Sequence, residues 1–149
     1  MIEVEVFGWG LAPDAPPLGE VRRLCSQAAA RMGIHDGHVA IEFVAAERIA
    51  QLNGEHRKQP KPTDVLSFPI DGVEPLARAA ALGVGRSQAV ERAERVPREL
   101  GDIVVCPEHT ADLREAIVHG MLHLLGMNHE TDDGEMLTLQ HELLARQRR

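Results

Sequence analysis

The sequence predicts an α+β fold: one domain with a small mixed β-sheet covered on one face by helices, and a candidate metal site on a central helix and the turn after it. Three observations lead there. Short segments of period-2 hydrophobicity are separated by single helical segments, helices gather at the C-terminal end, and the 149 residues suit one domain with its own core. Ile2, Val4 and Val6 alternate with Glu3 and Glu5 as in a strand. Between Gly19 and Met32, Val21, Leu24, Cys25, Ala28 and Met32 follow helical spacing, and Gly33 supplies a stop. His38–Ala45 returns to period 2, and a second helix is expected from Ala46 to Asn53, just before Gly54. Asp64–Ile70 and Gly101–Cys106 complete the strands, each beside proline. The stretch 71–98, rich in Ala, Arg and Glu and broken at Gly83 and Gly85, reads as a mobile, partly helical excursion. From Asp112 to Leu125 both sides of the helix are apolar, the mark of a central helix. Asp132 with Glu135 forms a capping pattern for a last helix with Met136, Leu139, Leu143 and Leu144 on one face.

Composition narrows the function classes. The 44% hydrophobic and 26% charged fractions are ordinary for a globular protein, and no apolar run is long enough for a membrane span. Acids stand near the N-terminus where a secretory signal would carry Lys or Arg, so a cytoplasmic protein is expected. Cys25 and Cys106 have no CxxC spacing and read as reduced thiols. The net charge of −7 requires any contact with nucleic acid to be local. Such a place exists: within His56-Arg57-Lys58-Gln59-Pro60-Lys61-Pro62, three cations stand on a proline-stiffened loop with no acid.

Chemistry concentrates at 119–129, His-Gly-Met-Leu-His-Leu-Leu-Gly-Met-Asn-His. His119 and His123 are one helical turn apart, so both imidazoles project from one side. Gly126 can end the helix and return the chain, bringing His129 to the same point. Three imidazoles suit Zn²⁺, one per chain, and leave a coordination position open for water, the arrangement of a hydrolytic site. The substrate is a separate matter. Metalloproteases of the H-E-x-x-H type place their base after the first histidine, where this chain has Gly120. A zinc peptidase would have to recruit another acid, with Glu99, Asp102 and Glu130 as candidates. Phosphodiester cleavage instead needs cationic donors to the phosphate oxygens, which the basic loop supplies.

Three blocks resemble the YbeY endoribonucleases, or rRNA maturation factors: Leu52–Arg57 leading into Pro62-Thr-Asp-Val-Leu-Ser-Phe-Pro69, Leu100–Cys106, and the histidine block with its glycine in second place. The resemblance implies an α+β fold and a metal-dependent endoribonuclease that prefers single strands, acting in ribosomal RNA maturation and ribosome quality control. It assigns zinc to His119, His123 and His129, and a functional arginine to Arg57. Lys58 and Lys61 are expected to help hold RNA phosphate. The implied partners are ribosomal RNA precursor and the small ribosomal subunit or assembly factors. A non-catalytic assembly factor organised by zinc stays open as a third reading. Three departures stand out. Met127-Asn128 replaces the Tyr-Asp that usually precedes the third ligand, the 106–119 segment is shorter than usual, and the 71–98 stretch is longer.

Overall fold

The computed structural model of the chain describes residues 2–70, 99–127 and 133–147. The 71–98 stretch, His129, Glu130 and the Asp132 cap lie outside them. Strands β1 (Ile2–Phe7), β2 (Gly37–Phe43), β3 (Val65–Pro69) and β4 (Glu99–Val105) form one sheet in the order β1-β2-β4-β3. β1 pairs parallel with β2 and β2 with β4, while β3 runs antiparallel along β4, so the sheet is mixed and β3 is an edge strand. A bulge shifts the register between His38 and Val39, where Glu99 and Gly101 are the consecutive partners. Gly101 sits there at φ 135°, and a Cβ on it would meet the Phe68 carbonyl at 2.2 Å.

Helices α1 (Leu18–Arg31), α3 (Leu113–Leu124) and α4 (Glu135–Gln147) flank one face. The main core joins Ile2, Val4, Val39, Ile41, Leu100, Ile103 and Val105 of the sheet to Leu24 of α1, Ile117 and Met121 of α3, and Leu143 of α4. α3 packs against α1, α4, β3 and β4, the central position its two apolar sides predict. Its start is set by Asp112, which accepts from the amides of Arg114 (3.0 Å) and Glu115 (3.3 Å). Arg114 then grips Glu20 of α1 with two bonds, Nε to Oε1 at 2.6 Å and Nη2 to Oε2 at 3.0 Å.

Three expectations need correction. The sheet is not covered on one face only. Helix α2 (Ala46–Arg57) lies over part of the other, where Ile49 and Leu52 close a second apolar cluster with Val44, Leu66, Phe68, Val104 and Cys106. Gly54 does not end that helix, which continues for a further turn to Arg57. The glycine serves close packing, since a Cβ on it would stand 3.2 Å from Pro60 Cβ. Lys58, at φ 58°, provides the stop. Met32 follows α1 as its exposed cap, and Ala29 joins the buried face.

Among the described residues, the part of the second face beyond α2 is acidic. His38 lies there, its Nδ1 2.8 Å from Glu99 Oε2 and its Nε2 3.2 Å from Glu5 Oε1. The hydrogen bond to Glu99 raises its pKa above the ordinary 6.5 against the cost of burial. Because the folded value lies above the unfolded one, this contribution is full below about pH 6.5 and is lost as pH rises through the folded value. Urea denaturation should therefore show stability falling across that window, with a flatter profile for His38→Gln. An equal slope in both proteins would count against the linkage.

Candidate active site

The two ends of the histidine block's first turn come together as the i, i+4 spacing requires. His119 and His123 are half-buried on α3, their rings 4.6 Å apart and steeply inclined, with the two Nε2 atoms 3.1 Å from each other. Each Nδ1 faces an oxygen: His119 the Gln140 side-chain carbonyl at 2.8 Å, His123 the Met127 backbone carbonyl at 3.0 Å. An oxygen acceptor at Nδ1 places the proton there and leaves Nε2 as an electron-pair donor. Two such donors aimed at one another are mutually repulsive unless a cation or proton lies between them. Nitrogens on one tetrahedral zinc, with bonds of about 2.0–2.1 Å, stand about 3.3 Å apart, so the pair fits a shared ion after a small adjustment.

Gln140 is 21 residues from His119 and nothing in the local pattern marks it. It is among the few buried polar side chains of the described residues, and its amide nitrogen reaches Glu115 Oε1 at 3.4 Å. That contact orients the amide so that its oxygen meets His119.

The histidine pair opens on a cavity of about 460 Å³ at the β3 edge, lined by His56, Arg57, Asp64, Val65, Leu66, Ser67, Pro69, His119 and His123. Arg57 reaches it from the last turn of α2, so it stands at a helix end and not in the loop the sequence suggested. Lys58 and Lys61 are exposed on the adjoining turn, outside the cavity lining. That turn is tied down by Asn53, whose amide donates to the Lys61 carbonyl at 3.0 Å. His56 reaches the cavity as well, although no ligand spacing singled it out. Its ring lies 4.7 Å from that of Phe68. Asp64 contributes a carboxylate that also accepts from the Val65 amide at 2.8 Å. The motif that contains it was the available signal.

Gly120 has a steric explanation. A Cβ there would meet Ile103 Cγ2 at 2.6 Å and Val65 Cγ2 at 3.0 Å, while its carbonyl accepts from Ser67 Oγ at 2.7 Å. α3 lies too close to β3 and β4 for a glutamate at this position. Of the substitute bases, Glu99 and Asp102 lie among the described residues, and neither is turned toward the histidine pair. Glu99 is bonded to His38, and Asp102 projects from the sheet face opposite Ile103 and α3.

Among the described residues, one set of three metal-ligating side chains has donor atoms within 4.8 Å of one another: Cys106, Glu108 and His109. It stands at the end of β4 and the following single-turn helix (Pro107–His109), not on α3. No helix among the described residues is long and apolar enough to cross a membrane.

A family model described as endoribonuclease YbeY matches residues 18–148. Proteins named endoribonuclease YbeY include one from Corynebacterium aurimucosum, 39% identical over 137 residues that cover 82% of this chain and 68% of that one. Another, from Bacillus cytotoxicus, is 32% identical over 140 residues, covering 84% and 83%. A solution structure of TM1509 from Thermotoga maritima aligns with a TM-score of 0.51 at 25% identity, over 95% of this chain and 86% of that one.

Proposed function

Since the chain belongs to the endoribonuclease YbeY family, we propose that it is a zinc-dependent endoribonuclease that prefers single-stranded RNA and acts in ribosomal RNA maturation and ribosome quality control. The observation that carries this reading is the facing Nε2 pair of His119 and His123 in a cavity that Arg57 also lines. His129 is the third proposed ligand, which puts the metal on the central helix and the turn after it. Zinc held there supplies a hydrolytic nucleophile at neutral pH and polarises the bond to be cut. Arg57 forks onto the scissile phosphate and stabilises the charge that gathers on its oxygens. Lys58 and Lys61, outside the cavity lining, draw the flanking phosphates by charge. The lack of room at Gly120 favours this reading over a peptidase. The proposed partners are ribosomal RNA precursor and the small ribosomal subunit or its assembly factors, met in the cytoplasm.

The decisive assay incubates zinc-loaded protein with single-stranded RNA, duplex RNA and a peptide library, beside a His119→Ala control. Cleavage of single-stranded RNA alone, lost in the control, is expected. Binding should weaken with salt on a shallow slope, since few cations border the cavity. Preference for duplex, or peptide cleavage, overturns the substrate assignment.

Gln140 has a separate expected effect. Gln140→Ala removes the oxygen that holds His119 Nδ1–H, and zinc affinity should fall roughly 10–100-fold, the scale for losing a group that orients a ligand. Competition with a chromophoric chelator measures it; unchanged affinity would make Gln140 merely a buried packing residue.

A further inference from the structure

Side-chain alternation at the end of β4 separates two groups of potential ligands. Ile103 and Val105 enter the main core beneath α3, whereas Val104 and Cys106 enter the smaller cluster with Val44, Ile49 and Leu66. The Cys106 thiol therefore lies on the α2 side of the sheet, away from the face on which α3 carries His119 and His123. Cys106 is fully buried at the floor of its group, and Glu108 and His109 are exposed above it. Their sulfur, carboxylate oxygen and ring nitrogen lie within 4.8 Å of one another.

The backbone beneath them is held by bonds that leave these three side chains for other work. The Cys106 amide donates to the Asp64 carbonyl at 2.8 Å, and the Cys106 carbonyl accepts from the His109 amide at 3.1 Å and Thr110 Oγ1 at 2.6 Å. Pro107 sets the first residue of the turn. A thiolate, an imidazole and a carboxylate suit a borderline-soft ion of zinc type and disfavour Mg²⁺ or Ca²⁺, which take oxygen. Bonds of about 2.3 Å to sulfur and about 2.0–2.2 Å to nitrogen and oxygen need a closer approach than 4.8 Å. Rotation of the two exposed side chains can supply it.

We propose that Cys106, Glu108 and His109 form a second site for a thiophilic divalent cation, separate from the histidine pair. Binding releases the Cys106 thiol proton to solvent and leaves water in the remaining coordination position. Through the Cys106–Asp64 bond, an ion held here braces the start of β3, where Asp64 lines the cavity.

Cobalt(II) titration of the chelator-treated full chain tests this, because thiolate ligation adds a sulfur-to-metal charge-transfer band that a histidine site lacks. The band is expected to be complete by two equivalents in the unaltered protein and by one in the His119→Ala/His123→Ala double variant, and is lost in Cys106→Ser. His109→Ala, at an exposed position, should shift the midpoint to higher cobalt. Cys25→Ala should keep the band, since Cys25 lies in the main core with its thiol pushed up to about 12 by burial. No such band in the unaltered protein, or a band that survives Cys106→Ser, overturns the proposal. Loss of the band in the double variant also overturns it, by assigning the sulfur to the histidine site. If the band appears while the histidine pair binds nothing, this proposal stands and the zinc assignment under the proposed function falls.

Discussion

Arg57→Ala is expected to lower RNA cleavage roughly 10²–10³-fold, the scale for removing one charge-stabilising donor, while zinc content and melting temperature stay as they were. The separation of effects follows from position. Arg57 is exposed on the last turn of α2 and lines the cavity, so its loss removes no core packing. Lys58 takes the left-handed conformation that ends the helix and donates its amide to the Asn53 carbonyl, so the turn does not depend on the Arg57 side chain. Arg57→Lys should recover binding more than rate, because an ammonium restores attraction to phosphate but not the planar two-bond grip. Single-turnover cleavage of a labelled RNA at saturating protein measures both. Full cleavage by a zinc-replete Arg57→Ala protein would remove Arg57 from the machinery.

His123→Ala should have the larger effect, lowering retained zinc by one equivalent per chain and taking cleavage to the background of the buffer. On the proposed ligand set, an ion left with two of three imidazoles would lose a bond for which the helix is already arranged: His123 is held by the Met127 carbonyl with its Nε2 aimed at that of His119. Elemental analysis after dialysis provides the readout. Performing it also in a Cys106→Ser background keeps the second proposed cation site from masking the loss. Zinc retention equal to that of the parent protein in both backgrounds would exclude His123 from the ligand set.

The convergence of His119 and His123 was legible because it is local: an i, i+4 spacing on a helix already says where both rings point. The alternation of Ile2 and Val4, and the two-sided apolarity of Ala116–Leu124, were legible for the same reason. Gly54 misled because glycine has two uses, to end a helix or to admit a close neighbour. Only Pro60, folding back onto the helix, shows that the second applies. His56 was passed over because a lone histidine carries no spacing. It reaches the cavity only because α2 runs on past Gly54 and sets it against Phe68 of the edge strand.

By itself, then, the sequence determined the element types, the α+β class and the histidine pair, which are written in periodicities shorter than one helix or strand, and the motif blocks that resemble the family, which are short runs of consecutive residues. Tertiary structure decided what meets across the chain. The order β1-β2-β4-β3 puts β3 at an edge, where α2 and α3 can both reach the cavity, and α4 returns Gln140 to His119. Packing of α3 onto β3 and β4 gives Gly120 its reason, and the alternation of β4 sends Cys106 to the opposite face. These are contacts between segments whose separation no local pattern encodes; they exist because burying both apolar sides of α3 and both faces of β4 leaves the chain this way to close.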